Sequence, residues 1–274
     1  MSALLPLPQR RRPPTPPAPA APPLARWWRS RYGAELVQEV AVVVALLFFY
    51  KLGRTLGRDE AHRALAHAHQ VRRVEGWFGI DDERALQQLA LHDLPLVRLL
   101  NRYYATVHFP LSIAFLVFVY VRAPRLVAHV RYLFVTVTAA ALVLHLAYPL
   151  APPRMLPGFV DTVARYGPTI YDKPGVASIA NQYAAMPSLH FGWSFLVAYG
   201  VVRALRTPWR WLVVLHPALT LVAIVVTANH YWLDAIVALA LIALALAVAP
   251  AGARPAPAPR PEPRPTELVG TPGY

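Results

Sequence analysis

The chain has 274 residues, of which 56% are hydrophobic and 15% are charged. This composition is too apolar for an average soluble domain, and it predicts an integral membrane protein. The 27 basic residues outnumber the 14 acidic ones, but they lie mainly between apolar segments and near the ends. Without a basic stripe of interleaved aromatic residues, we exclude nucleic acid as a partner. Cysteine is absent, which excludes disulfide and thiol chemistry.

Proline-rich segments stand at both ends of the chain. Residues 1–25 combine proline with alanine and arginine, and residues 250–274 have a similar composition. Such segments cannot bury enough apolar surface to fold. We therefore predict two disordered tails, the first of them basic, around a single membrane domain at residues 34–249.

Six apolar segments are long enough to cross about 30 Å of hydrocarbon as helices. Alternation with a period of two residues is absent, and alanine and leucine abound, which favours helices over a barrel. The sequence predicts an all-α bundle of six transmembrane helices. The predicted spans are Leu36–Leu52, Tyr103–Val121, Tyr132–Leu150, Tyr183–Val202, Trp211–Ala228 and Tyr231–Ala249.

Residues 51–102, between the first two spans, carry many charges. Val71, Val74 and Phe78 have helical spacing there, and so do three leucines further along, Leu86, Leu89 and Leu96. This pattern is typical of amphipathic helices that lie on a membrane surface. We expect an interfacial segment, and a candidate lid, on the outer side.

Arginines in the short linkers predict the orientation of the bundle. One linker holds Arg122, Arg125 and Arg131, and another holds Arg203, Arg206 and Arg210. The positive-inside rule makes that side cytoplasmic, together with both termini. The composition suits a bacterial plasma membrane. The segments that contain Arg154, His190 and His230 then lie on the extracytoplasmic side.

His190 and His230 each stand where an apolar run begins. Asp234 follows His230 by four residues, so in a helix its carboxylate reaches the imidazole, fixes the tautomer and raises the basicity. Two such histidines, one backed by a carboxylate, make a nucleophile and a general acid for phosphoryl transfer. Their alternative role is that of polar groups satisfied at the membrane interface.

Two features next to the histidines suit an anion. Ser188 follows Pro187 and can cap a helix whose free backbone N–H groups favour a phosphate. Arg154 follows two prolines and offers a planar fork to two phosphate oxygens. As alternatives, Ser188 serves only as a cap, and Arg154 only faces lipid headgroups. A zinc site at the two histidines and Asp234 lacks the usual ligand spacing, so we predict neither metal nor cofactor.

Further polar residues are candidates for substrate binding. Asn101, Tyr104 and His108 have spacings of three and four, so they share the outer end of one helix face. They line a headgroup pocket or form a polar seam between helices. Asp161 and Asn229 are candidates for hydroxyl recognition or for loop structure.

Three motifs carry a family resemblance. Ala151-Pro-Pro-Arg-Met-Leu156, Ala185-Met-Pro-Ser-Leu-His190 and Ala228-Asn-His-Tyr-Trp-Leu-Asp234 resemble those of the type 2 phosphatidic acid phosphatase superfamily, over roughly residues 95–245. The branch they are most similar to is that of the inositol phosphorylceramide synthases. The resemblance implies a six-helix bundle and metal-independent chemistry. It also implies His230 as nucleophile, His190 as acid, Asp234 as the partner of His230, and Arg154 as the phosphate-binding residue.

Departures from the phosphatase pattern indicate the same branch. Ala147 stands where that pattern has a lysine, Ala223 and Ile224 replace a Ser-Arg pair, and Leu189 replaces a glycine. We therefore predict an enzyme that moves a phosphoryl or phospho-polyol group between lipid substrates through a phosphohistidine. A lipid phosphate or diphosphate phosphatase and a noncatalytic lipid-binding or transport protein are the alternatives. The sequence does not predict an oligomeric state.

Overall fold

The computed structural model describes residues 60–168 and 182–251, together with Val37. Apart from Val37, the first predicted span lies outside the described residues. The same is true of the predicted tails, except for residues 250 and 251. Within the described part the secondary structure is helical, with one isolated β-bridge between Leu150 and Ala184.

Three helices form the segment that the sequence predicts at the interface: α1 (Glu60–Phe78), α2 (Glu83–Ala90) and α3 (Leu94–Thr106). The buried side of α1 is formed by Ala64, Ala68, Val71 and Glu75. Phe78 is exposed. Val71 and Phe78 therefore do not share one apolar face, because packing within the protein selects the alanine-rich side, which includes a buried acid.

A bend of 45° separates α3 from α4 (His108–Arg122). Pro110 accounts for it, since a proline lacks the backbone N–H and its ring clashes with the carbonyl four residues earlier, here that of Thr106. The predicted span Tyr103–Val121 thus consists of the last turn of α3 and all of α4 except its last residue.

The remaining helices are α5 (Val127–Ala147), the short α6 (Thr162–Tyr166), α7 (Leu189–Ala204), α8 (Leu215–Val226) and α9 (Trp232–Ala247). Short 3₁₀ helices precede α5 and α8, at Pro124–Leu126 and Pro208–Val214. The predicted span Tyr183–Val202 begins late, at Leu189, because Ser188 caps the helix just after Pro187.

Two of these elements are long and apolar enough to cross a membrane, Pro124–Ala147 and Pro208–Val226. The bent pair of α3 and α4 makes a third if it counts as one span. Helices α7 and α9 have 16 residues each, which is below the roughly 20 that a perpendicular span needs. The protein is an all-α membrane protein, and six spans remain a prediction.

Helix α7 stands at the centre of the bundle and contacts α4, α5, α8 and α9. The core that α4, α5, α7 and α9 share contains Phe115, Val119, Leu133, Val137, Leu196 and Ile242. Gly200 permits the close approach of α4, because a side chain at that position would overlap the ring of Phe115. Helices α7 and α9 start at the same end of the bundle, where the Ser188 amide donates to the Asp234 carbonyl.

Candidate active site

Three motif loops meet at one end of the bundle, where backbone hydrogen bonds join them. The Ser188 amide donates to the Asp234 carbonyl at 3.2 Å, and the Arg154 amide donates to the Ala228 carbonyl at 2.9 Å. Ala228 is buried and has a positive φ of 54°, which is unusual for a residue other than glycine. The turn after α8 is thus held in a conformation that aims a carbonyl at the Arg154 loop.

His230 is held through one ring nitrogen. Its Nδ1 lies 2.9 Å from the carbonyl oxygen of Ala185 and 3.0 Å from Oδ2 of Asp234. Because a carbonyl oxygen only accepts hydrogen bonds, we infer that Nδ1 carries the hydrogen and that Nε2 keeps its lone pair. Burial, together with the charge of Arg154, lowers the pKa of His230 to about 3. The ring is therefore neutral at pH 7, as a nucleophile must be.

Asp234 anchors the first turn of α9 as well as the imidazole. Its Oδ2 also accepts from the backbone amide of Tyr231 at 3.0 Å, and Tyr231 is the N-cap residue of the helix. The side chain of Asp234 is fully buried. One carboxylate oxygen thus fixes both the helix start and the orientation of His230.

His190 lies one residue inside the N-terminus of α7. Ser188 is the N-cap, and its Oγ accepts from the amide of Phe191 at 3.3 Å. The ring centroids of His190 and His230 are 6.1 Å apart, a separation on the scale of one phosphoryl group with its attacking and leaving atoms. The helix terminus supplies N–H groups and a positive dipole end at the same place.

Arg154 is oriented by two residues that the sequence suggested for hydroxyl recognition. Its Nη1 donates to Oδ1 of Asn229 at 2.6 Å, and its Nε lies 3.3 Å from Oδ2 of Asp161. Asp161 also caps α6 by accepting from the amide of Ala164 at 2.9 Å. Both Asn229 and Asp161 thus position the guanidinium in the loop that adjoins His230.

The predicted trio on α3 and α4 divides into two parts. Tyr104 stacks on His190 with centroids 4.3 Å apart, and the ring of His108 lies 4.5 Å from that of His190. Asn101 is buried elsewhere and donates to the carbonyl of Thr162 at 3.0 Å. Tyr104 and His108 therefore contact the candidate acid, whereas Asn101 belongs to a polar seam between α3 and α6.

Three buried polar residues near the site were missed by the sequence reasoning. Nε2 of His145 donates to the carbonyl of Pro187 at 3.2 Å, which supports the loop before α7. Glu75 and Glu83 are completely buried, and Glu75 accepts from the amide of Leu233 at 2.8 Å. A sequence signal existed for Glu75, which continues the spacing of Ala64, Ala68 and Val71 at four, three and four residues.

Residues 60–168 and 182–251 contain no group of three or more His, Cys, Asp or Glu side chains placed to hold a metal ion. The site there consists of two imidazoles, one carboxylate partner, one guanidinium and a helix N-terminus. Such a set can bind an anion, attack it with a neutral imidazole and protonate a leaving oxygen.

Comparison with known proteins agrees with this set of groups. A family model described as the PAP2 superfamily matches residues 69–248, which include all three motifs. No curated protein and no solved structure matches the chain. Since the family match spans well over half of the sequence, the protein belongs to the PAP2 superfamily, whose members are typically membrane phosphatases and phosphotransferases of lipid phosphates.

Proposed function

We propose that this enzyme transfers a phosphoryl or phospho-polyol group between lipid substrates through a phosphohistidine on His230. The observation that carries the proposal is the hydrogen bonding of His230. Its Nδ1 is bound by Ala185 and Asp234 at 2.9 and 3.0 Å. Nε2 of the neutral ring therefore keeps its lone pair, and this nitrogen is the atom that attacks phosphorus.

In the first step Nε2 of His230 forms a bond to phosphorus, and the bond from phosphorus to the lipid oxygen breaks. His190 gives its proton to that oxygen. The charged phospho-imidazole is stabilised by Asp234, and Arg154 binds the phosphoryl oxygens. In the second step an acceptor hydroxyl attacks phosphorus, His190 takes up the hydroxyl proton, and the bond to His230 breaks.

The charge of the site favours a phosphodiester donor, as in the inositol phosphorylceramide synthase-like branch. A diester carries one negative charge, whereas a monoester carries up to two. Ala223 and Ile224 occupy the positions of a Ser-Arg pair in the phosphatase pattern, and both are completely buried in the bundle. Ala147 ends α5 where that pattern has a lysine. Arg154 is then the cation that the three motifs retain.

A lipid phosphate or diphosphate phosphatase is the second candidate function. It uses the same first step, and water replaces the acceptor hydroxyl in the second. The observation in its favour is the 6.1 Å separation of the His190 and His230 rings, which would let His190 take a proton from water as it would from a hydroxyl. A noncatalytic lipid-binding or transport protein would keep the bundle without needing His230 in a defined tautomer.

The chemistry is proposed to take place on the extracytoplasmic side, with both termini in the cytoplasm. The support is that the two arginine-bearing linkers lie together at the end of the bundle opposite the histidines. Nη2 of Arg125 donates to the carbonyl of Arg203 at 3.3 Å. Grouped arginines of this kind mark the cytoplasmic side of membrane proteins.

The test uses the full-length protein in nanodiscs that contain a phosphoinositide donor and a diacylglycerol or ceramide acceptor. Lipid mass spectrometry follows transfer of the head group, and a colorimetric assay follows release of inorganic phosphate. Acid-quenched protein is analysed for the mass bound to His230. We expect phosphate plus polyol on this residue and a new lipid carrying the same head group.

His230→Ala is the inactive control, and His62→Ala, in the first turn of α1 and exposed, is the matched control for loss of a histidine. Release of inorganic phosphate from a monoester, with a bare phosphoryl group on His230, would favour the phosphatase. Turnover by folded His230→Ala at the wild-type rate would refute the nucleophile. Lipid binding without turnover of any donor would favour the noncatalytic protein.

A further inference from the structure

Three successive residues at the start of α9 are each bound by a carboxylate. The amide of Tyr231 donates to Asp234, Nε1 of Trp232 donates to Asp82 at 2.7 Å, and the amide of Leu233 donates to Glu75 at 2.8 Å. Asp82 precedes α2 and Glu75 belongs to α1. Two carboxylates of the predicted interfacial segment, Glu75 and Asp82, thus bind the turn that joins His230 to Asp234.

Glu75 binds one of the backbone N–H groups that the first turn of any helix leaves without an intrahelical partner. Satisfying a buried amide in this way keeps the turn in its helical conformation. Leu233 directly precedes Asp234, so the bond from Glu75 acts one residue away from the carboxylate that orients His230. A change in this bond therefore reaches the nucleophile through the backbone of α9.

Glu83 supports Glu75 from the neighbouring helix α2. Both side chains are completely buried. Within the described part of the chain, Oε2 of Glu75 and both oxygens of Glu83 have no hydrogen-bond partner apart from each other. Two ionised carboxylates in such surroundings would repel each other at a high cost in free energy, so one of them holds a proton. Burial, and then Glu83, raise the pKa of Glu75 to about 9.

We propose that Glu75 and Glu83 are a positioning pair for the chemistry at His230. In this pair a protonated Glu75 caps α9 through Leu233 and holds Asp234 against the imidazole. The groups that face Glu75 are Glu83 from α2, and Asp234 and Tyr231 from α9. The effect on turnover rests on the proposed function, whereas the cap and the proton can be measured without any substrate.

The experiment compares Glu75→Gln, Glu75→Leu and Asp81→Asn in full-length protein in nanodiscs. Gln keeps an oxygen for the Leu233 amide and needs no proton, whereas Leu removes the acceptor. Asp81 is a half-exposed carboxylate of the same segment, paired with Arg72, and it serves as the matched control. Hydrogen exchange of peptides that cover residues 229–236 reports the cap directly.

We expect faster exchange at residues 229–236 in Glu75→Leu, and exchange as in the wild type for Glu75→Gln and Asp81→Asn. The turnover number should fall roughly tenfold in Glu75→Leu, as expected for loss of a buried hydrogen bond, with an unchanged KM. Glu75→Gln should keep the turnover number of the wild type. Unchanged exchange in Glu75→Leu, or a lower melting temperature with unchanged turnover in an active preparation, would overturn the positioning role.

The proton on Glu75 can be detected through the pH dependence of the melting temperature. A carboxyl whose pKa is raised on folding makes the folded state bind more protons than the unfolded state between pH 4.5 and about 9. The melting temperature should therefore fall as pH rises through this range, more steeply in the wild type than in Glu75→Gln. Equal slopes would overturn the protonated pair. Absence of turnover in the wild type, with these differences present, would count against the proposed function alone.

Discussion

Replacement of Asp234 by Asn separates the two tasks that we assign to this carboxylate. Asn keeps an oxygen at the place of Oδ2, so the amide of Tyr231 and Nδ1 of His230 still find an acceptor. Ala185 also continues to accept from Nδ1 at 2.9 Å. The tautomer of His230 is therefore preserved, and what is lost is the negative charge beside the imidazole.

The size of the effect follows from the geometry. Nδ1 of His230 and Oδ2 of Asp234 are 3.0 Å apart, and the two groups form an ion pair once the imidazole is phosphorylated. At an effective dielectric constant of about 20, two unit charges at that distance attract by roughly 5 kcal/mol. This attraction corresponds to an upper limit near a factor of 10⁴ in rate, since each ~1.4 kcal/mol of barrier changes the rate tenfold. The amide dipole of Asn and the Ala185 carbonyl retain part of it, so we expect a loss of about 10²–10⁴ in turnover.

The assay is single-turnover formation of the phosphohistidine, measured by rapid quench with the protein in nanodiscs. Asp93→Asn is the matched control, because the Asp93 carboxylate also accepts from a backbone amide at a helix start, that of Leu96 at 3.0 Å, and lies away from the histidines. A rate in Asp234→Asn within a factor of about three of the wild type would refute the reasoning on charge. Loss of folding in Asp234→Asn, judged by thermal melting, would show that the carboxylate is needed for the helix start itself.

Four further predictions concern the site, its orientation in the membrane and its chemistry. Arg154→Lys should raise KM and lower turnover in the lipid assay, because an ammonium group cannot bind Asn229, Asp161 and a phosphate as a guanidinium does; unchanged kinetics would contradict this role. Tyr104→Phe should retain stacking on His190 and activity, whereas Tyr104→Ala should not, and equal rates for the two would exclude the ring as a support. A cysteine at Ala164, which is exposed on α6, should react with an impermeant thiol reagent in intact cells, and one at Thr207 should not; the opposite pattern would place the active site in the cytoplasm. Activity should also survive EDTA, and reversible loss on chelation, restored by zinc or magnesium, would contradict metal-independent chemistry.

The local sequence was sufficient to predict the elements whose contacts are short in range. The four-residue spacing of His230 and Asp234 predicts their hydrogen bond, since a helix start brings these positions together. Ser188 after Pro187 predicts the N-cap of α7, which the structure shows. The apolar runs predict helices at α4, α5, α7, α8 and α9, with errors of several residues where Pro110 bends the chain and where Ser188 begins α7.

The roles of Asn101, Asp161 and Asn229 were not decided by the sequence. Each was a candidate for substrate contact, and each finds a protein partner instead. Asn101 binds Thr162 and Asn229 binds Arg154, both far away along the chain, whereas Asp161 binds Arg154 within the same loop. A polar side chain near a helix end has many possible acceptors, and its spacing within one helix does not select among them. Only the packing of α3 against α6, and of the Arg154 loop against the turn after α8, makes the choice.

The chemical groups of the site can be predicted from the sequence, because ionisable side chains at the ends of apolar runs are costly and are usually paired or functional. The contacts that hold these groups in place cannot be predicted in this way. Glu75 meets Leu233 across 158 residues, and Tyr104 stacks on His190 from a different helix. Contacts of this kind depend on which helix faces are brought together, and apolar periodicity leaves that choice open because alanine and leucine pack on many partners. The sequence predicts which residues act on a phosphoryl group, and the packing of the helices selects the contacts that hold them in place.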